Sequence, residues 1–419
     1  MKIINKIKKG MKIGLAYSGG LDTSVSIKWL TKNGAKVFAY YSDLGNLNFK
    51  EIEKIKKRAI KFGAVKFNCV DCKKQIVDEA IKAIKADAFN FKTGSYEYYN
   101  TTPIGRSVTG ILLSKEMKKD GINIWCDGST FKGNDIERFL KYSYVINKKM
   151  RFYKPWLDKN FLKILGGRKE MYNYISKKEK KESFKYSIDS NILGNTYEGG
   201  EIENLDFSTD KINFLICKGK KKSATMEISF FFKKGNIVMV NNKKVDNLKL
   251  FKILNRKSRN LFLGISDQIE ERIIGVKSRG IYEAPAMFIL KNVFERALSC
   301  VYEKNVIDIR RENGIKIGNL LYEGRWFDEL SENIKENSLK IFKRISGEIK
   351  IRIIKNIIFF KKTEMKNSVY SKKTISMEKT KKNKIKYKDR IGQLNIAKIS
   401  INRKRILKSK SIKNMLKTR

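Results

Sequence analysis

Apolar and polar stretches alternate regularly over residues 1–165 of this chain. Short apolar runs of strand length recur at residues 12–17, 36–44, 64–70 and 123–126. Apolar residues at helical spacing fill the segments between them, at residues 49–61, 76–84 and 104–118. Strands that alternate with helices predict a parallel sheet with helices on both faces. The pattern therefore predicts an α/β domain over residues 1–165, with ligands beyond the carboxyl ends of its strands.

A different pattern follows this first domain. Residues 212–245 alternate apolar and polar positions between Lys-Gly and Asn-Asn turns, which is typical of antiparallel strands. Residues 266–282 predict a helix and a turn, 285–303 predict a helix, and 347–363 predict further strands. We therefore predict a second domain of the α+β class over residues 166–375.

The chain ends in a basic tail, which we place at residues 376–419. Residues 381–419 contain 15 Lys or Arg and one acidic residue, and residues 406–416 favour a weakly amphipathic helix. Such a tail can bind nucleic acid or a membrane surface. We interpret it instead as a helical segment that packs on a neighbouring subunit.

Basic residues exceed acidic residues along the whole chain. Lys and Arg number 92 against 43 Asp and Glu, a formal net charge of +49, which favours a nucleic-acid partner. The lysines are spread throughout, however, and are accompanied by Asn and Ile, as expected from codon bias in an AT-rich genome. We therefore expect no nucleic-acid partner. We also expect no membrane partner, because no apolar run approaches the roughly 18 residues of a membrane span.

The chain has five cysteines and no histidine. So few cysteines in 419 residues are typical of reduced thiols, so we expect a cytoplasmic protein. Cys69 and Cys72 have the spacing of a metal or redox pair, but no second pair completes a zinc site, and we expect both to be small buried side chains. The absence of histidine excludes Ser-His and Cys-His nucleophiles and imidazole ligands. Any chemistry must use carboxylates, hydroxyls, amides and basic side chains.

The stretch Ala16–Ser24 (AYSGGLDTS) joins the first predicted strand to the first helix. Gly19 and Gly20 allow a close approach of the backbone, Thr23 and Ser24 offer hydroxyl donors, and the first turn of the helix presents its N–H groups. These features predict a site for phosphate groups. The spacing matches neither the GxxxxGK[ST] phosphate loop nor the GxGxxG dinucleotide fingerprint.

A second polar stretch follows the last strand of the first domain. Asp127–Asp135 (DGSTFKGND) continues to Arg138 and combines two glycines with amide, hydroxyl, carboxylate and guanidinium groups. Asn134 and Arg138 are four residues apart at a helix start, so we expect their side chains to lie on one face. Donors and acceptors in this arrangement predict a binding site rather than an ordinary helix cap.

Two more stretches carry groups suited to a ligand. Ser187–Asn191, followed by Thr196 and Glu198, opens the second domain with hydroxyls and carboxylates. Residues 94–105 are rich in glycine, aromatic and hydroxyl residues and predict a loop able to close over a ligand, although a surface turn has the same composition.

Together these stretches resemble the argininosuccinate synthase family, in particular its longer bacterial form. AYSGGLDTS is similar to the pyrophosphate loop of the ATP-pyrophosphatase superfamily, whose members split ATP between its α and β phosphates. Further blocks that resemble the family are NTTPIGR at 100–106, IWCDGSTFKGNDIERF at 124–139, YKPWLD at 153–158, DSNILG at 189–194, KSRGIYEAP at 277–285, LLYEGRWFD at 320–328 and DRIGQL at 389–394. Many blocks in the right order are much harder to obtain by chance than one loop.

The resemblance implies a carbon-nitrogen ligase of arginine biosynthesis that joins L-citrulline and L-aspartate with ATP, together with Mg²⁺ and a homotetramer. It implies ATP contacts from Ala16, Tyr17, Ser18, Gly19, Gly20, Leu21, Asp22, Thr23, Ser24, Ser42, Gly128, Thr130, Asp135 and Asp189. It implies citrulline contacts from Tyr98, Asn134, Arg138, Ser187, Thr196, Glu198, Glu270 and Tyr282. It implies aspartate contacts from Thr130, Asn134 and Asp135.

The implied reaction has two steps. The ureido oxygen of citrulline attacks the α-phosphorus of ATP, which releases pyrophosphate and leaves citrullyl-AMP, and the aspartate amine then displaces AMP. Catalysis would rest on positioning and on neutralising charge, with backbone N–H groups and the metal helping to hold the pyrophosphate. The residues expected to act in catalysis are Ser18, Asp22, Thr23, Ser24 and Asp135. No general base is assigned, although Asp135 and Asp189 are candidates.

Three positions depart from the family pattern. Arg259–Phe262 stands in place of a Gly-Arg-His-Gly element, Cys126 stands where a small glycine is expected, and Tyr197 replaces a histidine. None of these changes removes a residue that the resemblance assigns to a ligand, so we expect a functional enzyme.

Two other interpretations fit part of the sequence. A tRNA-modifying enzyme of the same superfamily, a thiouridylase or a lysidine-forming ligase, would use the loop to adenylylate a base and the basic surface to hold RNA. A nucleic-acid-binding protein with a relic ATP site would use the tail alone. Neither explains the residues suited to citrulline.

Overall fold

The computed structural model describes residues 2–91, 93–94, 97–175, 186–219, 225–354, 356–375, 385–402 and 410–417. These residues form two compact units, 1–367 and 368–419. The larger unit contains three β-sheets with helices packed around them. The predicted domain boundaries after residues 165 and 375 stay predictions, and the loop predicted at 94–105 lies partly outside the described residues.

The first sheet has six parallel strands in the order β1-β6-β5-β2-β3-β4. Its strands are β1 (Lys2–Ile3), β2 (Lys12–Ala16), β3 (Lys36–Asp43), β4 (Lys66–Asp71), β5 (Ile124–Cys126) and β6 (Arg151–Tyr153). The helices of this region are α1 (Leu21–Lys32), α2 (Phe49–Lys61), α3 (Lys73–Lys85), α4 (Thr102–Lys119), α5 (Asp135–Ile146), α6 (Lys159–Leu165) and α7 (Arg168–Ile175). The predicted α/β fold is confirmed, and β1 and β6 are strands that the pattern did not predict.

Helices cover both faces of this sheet because its central strand is apolar on both sides. In β2, Ile13 and Leu15 pack in one core with Val25 of α1. Ala16 packs in a different core with Met117 of α4. Alternate side chains of a strand point to opposite faces, so β2 is buried on both and reads as a continuous apolar run. Polar loops are therefore confined to the ends of the strands.

Two antiparallel sheets follow. One has four strands in the order β12-β13-β8-β7, and the other has five in the order β11-β10-β9-β14-β15. The strands are β7 (Ser187–Asn191), β8 (Gly194–Glu198), β9 (Thr225–Lys233), β10 (Asn236–Val240), β11 (Lys243–Lys244), β12 (Ile265–Glu271), β13 (Lys277–Glu283), β14 (Gly347–Ile354) and β15 (Ile357–Met365). The helices are α8 (Asn247–Ser258), α9 (Pro285–Val301), α10 (Lys304–Tyr322) and α11 (Glu329–Phe342).

The helix and turn predicted over residues 266–282 are wrong. This segment forms the hairpin β12–β13, with antiparallel pairs from Ile265 with Glu283 to Glu271 with Lys277. The prediction from the sequence pattern failed because polar side chains of β12, including Gln268, point inward, while Ile269 is 49% exposed. A strand whose buried face is polar does not show the apolar alternation from which strands are predicted.

The strands predicted over residues 212–245 are confirmed only from β9 onward. Residues 212–219 form no strand, and 220–224 lie outside the described residues. The backbone N–H groups of residues 215–217 instead donate to the carboxylate of Glu283. A side chain therefore takes the place of a neighbouring strand as the hydrogen-bond acceptor for this segment.

Glu283 is a fully buried carboxylate at the end of β13. Its donors are Nδ2 of Asn195, the hydroxyl of Tyr197 and the backbone N–H groups of Leu215, Ile216 and Cys217, at 2.5–3.1 Å. A buried carboxylate is stable only when hydrogen bonds replace its hydration, and these five donors meet that need. Tyr197, one of the departures from the family pattern, is thus a structural donor.

The two neighbouring cysteines have different surroundings. All five thiols are free, and Cys72 at the start of α3 is buried as predicted. Cys69 is exposed, so the prediction of a buried side chain is wrong for it. It lies on β4, an edge strand of the parallel sheet with one side open to solvent.

The smaller unit contains α12 (Lys372–Ile375), α13 (Tyr387–Asn402) and α14 (Lys410–Met415). Part of the helix predicted at 406–416 falls on residues 406–409, outside the described residues. The apolar side chains of α13, such as Ile396 at 69%, are exposed. Among the described residues, no helix has the length and apolar character needed to cross a membrane.

Substitution Glu283→Gln is expected to lower the free energy of unfolding by about 3 kcal/mol, because an amide would set an N–H group against buried N–H donors. Denaturant unfolding measures this loss. Glu271→Gln is the matched control: its side chain is 53% exposed, so a change within about 0.5 kcal/mol is expected. Equal stability of the two variants would contradict a structural role for Glu283.

Candidate active site

The loop Ala16–Ser24 lies at the carboxyl end of β2, as predicted. Gly19 has a φ of +81°, and a Cβ there would lie 3.0 Å from Ile55, so glycine is required on both counts. The Ser18 hydroxyl lies 3.2 Å from the Thr23 hydroxyl. The Ser18 hydroxyl also accepts from the backbone N–H of Gly20. These bonds fold the loop over the start of α1, whose first N–H groups face the same region.

Two further hydrogen bonds fix other residues of the loop. The Tyr17 hydroxyl lies 3.2 Å from the buried Ser24 hydroxyl, and Arg58 of α2 donates to the carbonyl of Gly19 at 2.8 Å. Burial raises the pKa of Asp22, although hydrogen bonds and the Arg168 guanidinium partly offset the shift. The Arg58 guanidinium, which bonds this loop, therefore adds positive charge beside the place where phosphate groups would bind.

The second polar stretch packs directly against this loop. A Cβ on Gly128 would lie 3.0 Å from Cγ2 of Thr23 and 3.1 Å from Cβ of Asp22. The preceding Asp127 is buried and pairs with the buried Lys154, and its other oxygen accepts from Ser129 N at 2.9 Å. The glycine therefore lets two loops meet, while the ion pair fixes where the second loop starts. Thr130, further along, is exposed.

The second-domain candidates share one face of the four-stranded sheet. Asp189, Thr196 and Tyr282 are directly paired across β7, β8 and β13. Ser187 and Glu198 form the adjacent pair on the same face. Paired residues and their second neighbours point to one side of a sheet, so these side chains line one surface. Register alone brings together residues almost a hundred positions apart.

Tyr98 reaches this face from the loop that precedes α4. Its hydroxyl donates to the buried carboxylate of Glu270, and its ring centroid lies 5.0 Å from that of Tyr282. Burial raises the pKa of Tyr98 above its usual value, and the neighbouring Glu270 charge adds to the shift. Both tyrosines therefore stay neutral and can act as hydrogen-bond donors.

Glu198 lies at the open side of the same surface. Loss of hydration raises its pKa, and the Arg272 guanidinium at 3.4 Å only partly offsets the shift. Because 48% of its side chain is accessible, solvent screening limits the effect. Glu198 is thus a carboxylate that a ligand can reach.

Asn134 and Arg138 meet around Tyr322 at the end of α10. The Asn134 amide donates to the Tyr322 hydroxyl at 2.9 Å and accepts from the backbone N–H of Ile273. Arg138 is buried, and its Nε donates to the Tyr322 carbonyl at 2.8 Å while Nη1 pairs with Asp135 at 3.1 Å. Its Nη2 is buried without a hydrogen-bond partner among the described residues. Arg138 therefore keeps one donor for a further acceptor.

Arg106 links the two groups of candidates. From α4 its Nε donates to Asp135 at 2.7 Å, and its Nη2 donates to Asp189 at 2.6 Å. Burial opposes ionisation of Asp135, but the neighbouring guanidiniums outweigh it and hold the pKa of this carboxyl below its usual value. Thr102 of the same helix donates to Asp189 at 2.9 Å and lies 3.1 Å from the Thr196 hydroxyl.

Three of these residues were missed by the sequence reasoning: Arg106, Thr102 and Tyr322. All three lie in stretches that resemble the family, NTTPIGR and LLYEGRWFD, which was the signal available. Their partners were not predictable because each partner lies on another element.

One candidate, Ser42, stays apart from this group within the described residues, and Ser187 lies on the shared face but bonds a residue outside the group. The Ser42 hydroxyl contacts Thr109 and Cys72, although it lies on β3 next to β2, and Ser187 accepts from Arg168. A cavity of about 390 Å³ is lined in part by Tyr98, and one of about 590 Å³ lies among residues of the segment 209–219; neither is lined by residues of the loop Ala16–Ser24.

Two family models match this chain. The arginosuccinate synthase N-terminal HUP domain matches residues 12–180, and the arginosuccinate synthase C-terminal domain matches residues 186–404. The chain belongs to the argininosuccinate synthase family. It is an ATP-dependent ligase that forms argininosuccinate, and the family implies citrulline and aspartate as its substrates.

A solved structure also matches part of the synthase, that of a predicted subunit of tRNA methyltransferase from Methanocaldococcus jannaschii. It is 16% identical, and the match covers 39% of this chain and 75% of that one. The TM-score is 0.27, which is too low for a comparison of the two folds.

Substitution Gly128→Ala is expected to lower kcat/KM for ATP about tenfold, because the new Cβ would push the loop Ala16–Ser24 by a few tenths of an ångström, and misplacement by about 1 Å costs about 100-fold. Initial rates at varied ATP measure the effect. Gly392→Ala is the control, since no heavy atom lies within 4 Å of its Cβ position. An unchanged kcat/KM for Gly128→Ala would contradict tight packing of the two loops.

Proposed function

We propose that the synthase carries out its reaction between the loop Ala16–Ser24 and the face of the four-stranded sheet that carries Asp189, Thr196 and Tyr282. The observation that supports this is the Arg106 bridge, which joins Asp135, at the end of the stretch whose Gly128 packs on the loop, to Asp189 on that face. ATP and the amino acids must meet for adenylylation, and this bridge brings their proposed binding groups together.

ATP is assigned to the loop. The hydroxyls of Ser18, Thr23 and Ser24 and the first N–H groups of α1 would hold the phosphates that leave as pyrophosphate. Gly128 and Thr130 would border the nucleotide, with Ser42 at the neighbouring strand end. Asp22, at the start of α1, would keep its place in the first turn through its backbone contacts.

Citrulline is assigned to Arg138 and to the residues of the sheet face other than Asp189, which is assigned to ATP. The Nη2 of Arg138 has no hydrogen-bond partner among the described residues and suits one oxygen of the carboxylate of an amino acid, while Nε and Nη1 bond Tyr322 and Asp135. Neutral Tyr98 and Tyr282 and the carboxylates of Glu198 and Glu270 suit the ammonium and ureido groups. Ser187 and Thr196 complete this set.

Aspartate is assigned to Thr130, Asn134 and Asp135. Asn134 already bonds Tyr322 and Ile273, so it would position the aspartate site as much as contact the ligand. The ureido oxygen of citrulline attacks the α-phosphorus, the bond to pyrophosphate breaks, and the aspartate amine then displaces AMP with loss of its proton. No residue is assigned as the base.

Mg²⁺, a homotetramer, a cytoplasmic location and the two domain boundaries after residues 165 and 375 belong to this proposal as well. The described residues contain no group of three or more His, Cys, Asp or Glu side chains placed to hold a metal by themselves. That fits Mg²⁺ bound chiefly through the phosphates of ATP, as is usual for this ion. The exposed apolar residues of α13 support subunit contacts through the tail.

The first test measures pyrophosphate release from ATP by the purified synthase in the presence of Mg²⁺. Citrulline and aspartate are supplied separately and together. Release is expected to require citrulline, and sustained formation of AMP is expected to require both, because aspartate acts only on citrullyl-AMP. Release that needs tRNA instead of the amino acids would overturn the proposal in favour of an RNA-modifying enzyme.

A second test changes Arg138. Arg138→Lys is expected to raise KM for citrulline about tenfold or more, since one ammonium group cannot keep the bonds to the Tyr322 carbonyl and Asp135 and also donate to a ligand. KM for ATP should change little. Arg310→Lys is the matched control: Arg310 is also buried, but it bonds Glu295 and the end of α3, away from the proposed site. Equal citrulline KM values in both variants would argue against the assignment.

A further inference from the structure

Arg106 joins the two groups of proposed ligand residues through its guanidinium. It lies in the second turn of α4, and its guanidinium donates through two different nitrogens to two different carboxylates. Asp135 is the first residue of α5, which follows the loop after β5. Asp189 is the middle residue of β7 in the antiparallel sheet. Their separation is therefore set by the shape of one guanidinium.

The two carboxylates need a cation between them. Like charges at short range repel, and one of two neighbouring carboxyls takes up a proton unless a positive group intervenes. Arg106 supplies that group: burial opposes its ionisation, but the charges of Asp135 and Asp189 outweigh this and hold its pKa above the usual value. The carboxylates can thus stay ionised side by side.

Other contacts fix the guanidinium itself. The Phe139 ring lies 5.4 Å from its central carbon, as in a cation–π contact. The Thr102 hydroxyl, one turn earlier in α4, donates to the same oxygen of Asp189 that Arg106 contacts. The Phe139 ring and the carboxylate of Asp189 therefore both restrain the Arg106 side chain, which has little freedom to adopt another rotamer.

A second arginine, on the four-stranded sheet rather than on α4, provides a comparison with a purely structural role. Arg279 of β13 bonds Asp267 of β12 at 2.5 and 2.9 Å and belongs to the opposite face, where residues 202, 204 and 207 supply carbonyl acceptors. Its ion pair is as close as those of Arg106, but it touches none of the residues proposed for substrates. Arg279 is thus a matched comparison.

We propose that Arg106 is a positioning residue of the synthase, which fixes Asp135 and Asp189 at the separation that ATP and aspartate require. The inference rests on the proposed function for the roles of these two carboxylates. Arg106 itself is not assigned to a substrate, and it acts through the carboxylates that it holds.

The test compares Arg106→Gln, Arg106→Lys and Arg279→Gln with the unchanged protein. It measures kcat and KM for each of the three substrates, ATP affinity by titration calorimetry, and the midpoint of thermal unfolding. Arg106→Gln is expected to lower kcat about 100-fold, the usual effect of misplacing reacting groups by about 1 Å. Its affinity for ATP should fall about tenfold, while KM for citrulline stays within about threefold, because Arg106 acts on the ATP and aspartate groups.

Arg106→Lys separates positioning from charge. A lysine restores the positive charge but as a single point, so it cannot hold two carboxylates in a fixed fork. We expect it to recover the unfolding midpoint and to leave kcat at least about tenfold low. Arg279→Gln should lower the midpoint and leave kcat within about threefold.

A double variant tests whether Arg106 acts through Asp189. If it does, Arg106→Gln combined with Asp189→Asn will be no worse than the poorer single variant, because residues that act as a unit are not additive. Additive losses, or an ATP affinity of Arg106→Gln equal to that of Arg279→Gln, would overturn the proposal. Failure of the unchanged protein to form argininosuccinate would refute the proposed function instead, and the ATP titration would still decide the role of Arg106.

Discussion

Charge neutralisation by guanidinium groups is the constraint on which the site of this synthase depends. Carboxylates that are crowded or partly buried lose hydration and are stable only when cations or N–H donors replace it. Arg106 does this for Asp135 and Asp189, and Arg138 adds a second contact to Asp135. The two sheets can approach because their acidic side chains are paired where they meet. Without these pairs the same approach would place like charges together.

The same principle recurs where no substrate is expected. Lys154 pairs with Asp127 beneath the second loop, and five donors surround Glu283. Glu283 has no basic partner among these donors, so neutral N–H and O–H groups replace its hydration, whereas Asp127 is neutralised by a cation. The excess of basic residues lies at the surface and in the tail, which agrees with the interpretation of the lysines as compositional bias.

A chain without histidine can still catalyse adenylylation because the chemistry needs little proton transfer. In the proposed site, the loop Ala16–Ser24 would supply the N–H and hydroxyl donors that phosphate groups require. Neutral tyrosines and paired carboxylates would orient the amino acids. The raised pKa of Tyr98 and the lowered pKa of Asp135 keep each group in one protonation state near neutrality. Positioning, rather than a titrating base, is what the residues of this site provide.

The sequence alone determined the parallel sheet and the loop after β2, because both depend on local features: apolar runs of strand length, helical spacing and glycines at a strand end. It also carried the family resemblance through its ordered blocks. It could not show that residues 266–282 form a hairpin, since the inward side chains of β12 are polar. Only the tertiary structure decided which side chains meet. Arg106 lies 29 residues from Asp135 and 83 from Asp189, and strand register and helix packing, not local pattern, set such distances.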